Sequence, residues 1–148
     1  MDSIPNDILP HLLARLAVER YIAEGVKVAA PADPFGVLAE QAGAFVTIRG
    51  RLGCLRGCIG TIQPVCDTLA SEIIQNAISA ATRDPRFPVI GRDELQDLAY
   101  GVDILSIPEA VRGIEDLDAV TFGVIIETLD GSHRALLLPC IEIGRAHV

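Results

Sequence analysis

Apolar residues recur at helical spacing in two stretches of the chain. The first stretch begins after Asn6 and ends near Gly25, a residue that can cap a helix at its carboxyl end. Its apolar positions are Ile8, Leu12, Leu13, Leu16, Ala17, Tyr21 and Ile22. Pro64 is expected to open the second helix, because proline suits the first helical turn. The apolar side of that helix contains Leu69, Ile73, Ile74, Ala77, Ile78 and Ala81.

Strand-like runs separate and follow these helices. Residues 43–62 predict a β-hairpin, with two glycines available for its turn and Leu55–Gly60 as its returning strand. A short helix is expected over residues 93–98 and a strand over residues 100–107. Asp130-Gly131 is a strong hairpin signal and predicts a second pair of antiparallel strands around it.

The returning strand of the first hairpin, LRGCIG, is unusual because two glycines interrupt it. Strand alternation places Arg56 and Cys58 on one face and Gly57 on the other. A guanidinium beside the thiol would favour the thiolate, which attacks electrophiles or binds metals. The alternative is that Cys58 is a small buried apolar residue and that Arg56 reaches solvent.

The run DPRFP, residues 84–88, predicts a stiff loop that carries an arginine. Its prolines restrict the backbone, and Arg86 offers five donors in a rigid fork. Such a loop could hold an anion or a carboxylate of a ligand. The alternative is that Arg86 binds Asp84 or the backbone and only fixes the turn.

Composition limits the partners that this chain can have. Half of its 148 residues are hydrophobic, which is enough for one domain with a real core. Twenty acidic and twelve basic residues give a net charge of −8, which should repel nucleic acid and anionic membranes. Residues 48–57 are rich in arginine and could form a local basic patch for nucleic acid. A solvated hairpin explains these arginines equally well. We therefore expect neither a nucleic-acid partner nor a membrane partner.

The four cysteines, at positions 54, 58, 66 and 140, predict free thiols rather than a disulfide framework. The amino terminus has no signal-peptide pattern, and no apolar run approaches the ~20 residues that cross a bilayer. A cytoplasmic protein is therefore expected. Cys54 and Cys58 have the spacing of two iron–sulfur ligands, but Thr61 stands where the third cysteine should be. We expect no metal and no cofactor.

Three segments, residues 43–64, 71–88 and 93–109, together resemble the AMMECR-one domain family. Its prokaryotic members are called AmmeMemoRadiSam system protein A. LRGCIG is the hallmark of that family and DPRFP its second most recognisable run, and the resemblance extends from Ile8 to about Pro139. It implies an α+β fold, in which an antiparallel β-sheet is flanked by helices and accompanied by a smaller subdomain.

The resemblance assigns no established activity, so two functional hypotheses stand. In the first, the protein is an accessory or ligand-binding component that acts with a Memo-like protein and a radical-SAM protein. Its candidate ligand-binding residues are Arg56, Gly57, Gly60, Asp84 and Arg86. In the second, Cys58 is the nucleophile of an enzyme that acts on a small anionic substrate, with Arg56 or Arg86 stabilising the thiolate. The enzyme hypothesis lacks an evident general base.

The last seven residues, 142–148, have no counterpart in this resemblance. Family members continue past the LLLP run into further helical and strand segments. The sequence EIGRAHV can also be encoded by nucleotides that resemble a widely used sequencing adapter. We therefore expect a family domain over residues 1–141 that is truncated at its carboxyl end, followed by a non-native tail. A natural, divergent terminus is the alternative.

Overall fold

The computed structural model describes residues 4–139 and divides the chain into two compact units, Met1–Ile107 and Pro108–Val148. The first contains two α-helices and a three-stranded sheet, and the second contains a two-stranded sheet. Both sheets are antiparallel, so the predicted α+β class is confirmed. Among the described residues, no helix combines the length and hydrophobicity that crossing a bilayer requires. The expected tail at residues 142–148 lies outside the described part.

The sheet of the first unit has the strand order β2-β1-β3. Its strands are β1 (Ala44–Arg49), β2 (Leu55–Gly60) and β3 (Ala99–Ile104). The first helix is α1 (Pro10–Glu24) and the second is α2 (Leu69–Thr82). Both helices pack on the same face of the sheet, where alternate residues of β1 are fully buried: Ala44, Val46 and Ile48. The predicted first hairpin is thus confirmed as β1 and β2.

The first helix begins and ends close to the predicted positions. Pro10 occupies the first turn, and Gly25 adopts the left-handed conformation, with φ 71°, that ends the helix. The buried face differs from the expected one, since Leu12 is exposed whereas Ala14 and Val18 are buried. Small side chains on this face let α1 lie close to α2 and β3.

The second helix begins later than expected. Its amino-terminal cap is Thr68, whose hydroxyl accepts a hydrogen bond from the backbone N–H of Ser71 at 3.3 Å. The prediction that Pro64 opens this helix was therefore wrong. The backbone N–H groups of Val65 and Cys66 instead donate to the carboxylate of Glu72. That carboxylate holds the preceding segment in a non-helical path.

Later elements agree with prediction in type and differ slightly in extent. The expected short helix is a 3₁₀ helix over Arg92–Asp97, and β3 ends at Ile104, before the predicted end at residue 107. The second unit contains β4 (Val124–Glu127) and β5 (Arg134–Leu137), with Gly131 at φ 70° in the turn. The second predicted hairpin is therefore confirmed.

Candidate functional site

The LRGCIG strand is β2, at one edge of the first unit's sheet. Cys58 lies opposite Thr47 on β1, and Thr47 lies opposite Gly101 on β3. These three residues form a row on the face of the sheet that the helices do not cover. Gly101 leaves open space there, because a Cβ added to it would have no heavy atom within 4 Å.

Gly57 faces the helices instead, as alternation along β2 requires. It lies opposite the buried Ile48, and a Cβ at this position would overlap the backbone carbonyl oxygen of Ala80 in α2. Gly60 is equally confined, because its Cβ would overlap the ring of Phe45. Both glycines therefore serve close packing, and neither offers free backbone for a ligand to approach from the side where its Cβ would lie.

The thiol of Cys58 is half-buried and has a polar neighbour. Its Sγ lies 3.3 Å from the hydroxyl oxygen of Thr47, and either atom could be the donor. Cys58 is a free cysteine in this structure. The side chain is therefore placed on the uncovered face of the sheet, beside a hydroxyl group rather than among aliphatic side chains alone.

Asp84 and Arg86 from the DPRFP loop bind the backbone of Cys58 at the sheet edge. The N–H of Cys58 donates to Asp84 Oδ2 at 2.9 Å, and Arg86 Nη2 donates to the carbonyl oxygen of Cys58 at 3.3 Å. The two side chains thus form hydrogen bonds with the backbone N–H and carbonyl groups that would otherwise be free to pair with a neighbouring strand. We call this arrangement the edge clamp.

A two-point ion pair holds the edge clamp together. Arg86 Nε and Nη2 donate to Asp84 Oδ1 and Oδ2 at 3.0 and 2.8 Å, and the Arg86 backbone N–H also donates to Oδ1 at 3.1 Å. The Arg86 guanidinium, with the two backbone donors, lowers the pKa of the buried Asp84 to about 2. The same carboxylate raises the pKa of Arg86. The alternative in which Arg86 fixes the turn and the backbone matches this geometry.

Arg56 is held by a different carboxylate. Its Nε and Nη2 donate to Glu94 at 2.6 and 2.8 Å, and its Nη1 donates to the carbonyl oxygen of Pro88 at 3.2 Å. Hydrogen bonding to Arg56 lowers the pKa of Glu94 to about 2. A register shift in the hairpin explains the direction of this side chain. Arg49 pairs with Leu55 rather than with Arg56, which is left as the extra residue of a bulge.

The structure thus brings Cys58, Asp84 and Arg86 together, and it commits Arg56 to Glu94. The Arg56 guanidinium, which was expected to lie beside the thiol, donates its hydrogen bonds to Glu94 and to the carbonyl oxygen of Pro88. Arg86, rather than Arg56, is the arginine that hydrogen-bonds to Cys58, through the backbone carbonyl oxygen of that residue. Within residues 4–139, no group of three or more histidine, cysteine, aspartate or glutamate side chains is arranged to hold a metal ion.

Sequence reasoning missed a buried polar cluster behind the end of β2. Glu72 is fully buried in α2 and accepts hydrogen bonds from the hydroxyl of Thr61 and from two backbone N–H groups of the following segment. Asn76, one turn later, donates to Thr61 and to the carbonyl oxygen of Ala44 at 3.1 and 2.9 Å. The sequence did contain a signal for this cluster, because Glu72 and Asn76 are four residues apart and both interrupt the apolar side of the helix.

Comparisons with known proteins give a matching family and several similar proteins. Residues 11–146 match the sequence model of the AMMECR1 family, a range that includes part of the expected tail. A protein of Thermotoga maritima is 50% identical over 127 residues, which are 84% of this chain and 71% of that protein. A protein of Clostridium acetobutylicum is 42% identical over 134 residues, 88% of this chain but only 27% of the clostridial protein.

A solved structure has the same fold. The crystal structure described as uncharacterized protein PH0010 from Pyrococcus horikoshii matches with a TM-score of 0.80 and 34% sequence identity. The match covers 88% of this chain and 67% of that one. The similarity therefore extends over most of the present chain and over about two thirds of the archaeal protein.

Proposed function

Because the chain belongs to the AMMECR1 family, we propose that it is an accessory, partner-binding or ligand-binding component that acts with a Memo-like protein and a radical-SAM protein in the cytoplasm. The proposed binding surface is the uncovered sheet face around Cys58, Thr47 and Gly101. This surface is chemically mixed, since it offers a thiol, a hydroxyl group and open space above a glycine.

The internal pairing of the two motif arginines carries this proposal. Arg56 is bound by Glu94, and Arg86 is bound by Asp84, in each case through two hydrogen bonds. A guanidinium that is already neutralised by a carboxylate is a poor clamp for an anionic substrate. The charges of the two motifs therefore act within the fold, which suits a rigid binding platform better than a catalytic centre.

The surroundings of the thiol support the same conclusion. Among the described residues, the hydrogen-bond partner of the Cys58 thiol is the hydroxyl of Thr47, and no imidazole or carboxylate bonds to the sulfur. A threonine hydroxyl does not take up a proton at neutral pH, so it cannot act as a general base. A nucleophilic cysteine normally needs such a base or an unpaired cation.

Gly101→Arg tests the binding surface, because a Cβ added at Gly101 would have no heavy atom within 4 Å. The probes are the purified Memo-like and radical-SAM proteins from the same genome, titrated against the full chain. We expect wild type to bind at least one of them and Gly101→Arg to bind at least tenfold more weakly. Ala29→Arg, at an exposed loop position, is the matched control and should bind as wild type does. Absence of wild-type binding to both probes would overturn the proposal.

One observation favours the enzyme hypothesis as a second candidate. Arg86 Nη2 donates to the backbone carbonyl oxygen of Cys58, so a small anionic substrate could meet a guanidinium close to the residue that carries the thiol. Site-resolved alkylation by iodoacetamide distinguishes the two candidates. Alkylation of Cys58 at pH 6 that is tenfold faster than that of free cysteine would favour the enzyme.

A further inference from the structure

The turn between β1 and β2 presents one leucine in an unusual way. Three backbone hydrogen bonds close the turn, from the N–H groups of Gly50, Gly53 and Cys54 to the carbonyl oxygens of Cys54, Gly50 and Arg51. Leu52, at its tip, has φ 57° and ψ 20°, and its exposed fraction is 107%. It is the one non-glycine residue with positive φ among those described.

Leucine is unfavourable at this position for two separate reasons. The left-handed conformation brings Cβ close to the following carbonyl oxygen and costs roughly 1–2 kcal/mol for a residue other than glycine. Full exposure also means that the apolar side chain gains nothing from burial. Glycine or asparagine would avoid both costs, and the neighbouring Gly53 adopts φ 74° freely. Backbone strain of this kind is concentrated at functional sites.

Hydrogen bonds from flanking arginines brace the turn. Arg51 Nε donates to Asp97 at 2.7 Å, and Arg49 Nη1 donates to the carbonyl oxygen of Gly53 at 3.1 Å. The base of the turn is fixed in the same way by the pairing of Arg56 with Glu94. The leucine is therefore held in one position before any partner arrives, which lowers the entropy lost on binding.

The charge of the hairpin indicates what kind of partner would fit. Between Glu40 and Asp67 the sequence has no acidic residue and contains three arginines, although the whole chain carries a net charge of −8. Arg51 and Arg56 are paired with Asp97 and Glu94, which leaves Arg49, three residues before the tip, as the arginine of this segment that no described carboxylate binds. An acidic partner surface complements this segment. An anionic membrane would be repelled by the rest of the chain.

We propose that Leu52 is an anchor that inserts into an apolar pocket, rimmed by carboxylates, on an acidic partner protein. The inference rests on the proposed function, because it assigns the docking contact of that accessory role. It adds a second contact surface, at the tip of the β1–β2 hairpin, to the row of residues around Cys58. The guanidinium group of Arg49, which no carboxylate binds among the described residues, would then meet a carboxylate at the rim of the pocket.

Leu52→Asn tests the anchor without endangering the fold, because asparagine tolerates the left-handed conformation. The matched control is Leu129→Asn, since Leu129 is also fully exposed beside a hairpin turn, with an exposed fraction of 110%. Both variants of the full chain are titrated with the purified Memo-like and radical-SAM proteins. We expect Leu52→Asn to bind at least tenfold more weakly than wild type and to have a melting temperature no lower than that of wild type. Leu129→Asn should bind as wild type does.

The possible outcomes separate this inference from the function on which it rests. Wild-type binding that persists unchanged in Leu52→Asn would overturn the anchor and leave the accessory function intact. If wild type binds neither the Memo-like protein nor the radical-SAM protein, the accessory function is overturned and the anchor with it. Vesicles that contain phosphatidylserine form the third arm. If they retain wild type but not Leu52→Asn, the anchor contacts lipid and the assignment to a protein pocket is wrong.

Discussion

Replacing Asp84 with asparagine should weaken the edge clamp by a predictable amount. The carboxylate accepts four hydrogen bonds, from the Cys58 N–H and from the backbone and side chain of Arg86. Asp84 is buried, with an exposed fraction of 5%, and its pKa falls from 3.8 to about 2. This difference of almost two pH units corresponds to about 2 kcal/mol of stability at neutral pH.

The pH dependence of this effect has a definite sign. Because the folded-state pKa of Asp84 is lowered, its contribution is fully present above the unfolded-state value and is lost as pH falls towards 2. Asp84→Asn should therefore lower the free energy of unfolding by about 2 kcal/mol at pH 7 and by much less at pH 2.5. The exposed Asp33→Asn is the matched control and should change little.

Urea unfolding monitored by circular dichroism, repeated from pH 7 to pH 2.5, measures this quantity for wild type and both variants. A loss below about 0.5 kcal/mol at pH 7 would show that the edge clamp does not stabilise the fold. A loss that stayed constant across the pH range would contradict the electrostatic explanation. Either result would refute the assignment of Asp84 as a charged structural residue.

Three further predictions concern the packing and chemistry around the LRGCIG strand. Gly57→Ala should destabilise the protein by about 3 kcal/mol in urea unfolding, because its Cβ would overlap the Ala80 carbonyl, whereas Gly101→Ala should be tolerated. Glu94→Gln should lower the urea midpoint at pH 7, and the difference should disappear as pH falls towards 2, since the pKa of Glu94 is lowered to about 2. Burial raises the pKa of the Cys66 thiol, so site-resolved mass spectrometry should find it alkylated by iodoacetamide more slowly at pH 8 than an exposed thiol; equal rates would contradict this.

Local patterns were sufficient to predict most of the elements. Both hairpins and the first helix followed from glycine placement, alternation and helical spacing, which are short-range properties of the chain. The placement of Cys58 and Gly57 on opposite faces of β2 was also predictable, because strand alternation has a strict period of two. The fold class needed only these elements and the family resemblance.

The features that were missed depend on contacts between residues distant in sequence. The later start of α2 depends on the Glu72 carboxylate, which binds the backbone of the segment before the helix. The direction of Arg56 depends on a bulge and on Glu94, 38 residues away. Proline placement and strand alternation contain no information about such partners, so a sequence pattern alone could not predict them.

The central claim is that the charged residues of both motifs stabilise the fold rather than activate Cys58. The most direct test is the rate at which iodoacetamide alkylates Cys58 at pH 6, measured by site-resolved mass spectrometry against free cysteine. The structure predicts a rate no greater than that of free cysteine, because Asp84 and Glu94 already neutralise the two arginines. A rate at least tenfold greater, and reduced by Arg86→Gln, would contradict the claim and make Cys58 a nucleophile.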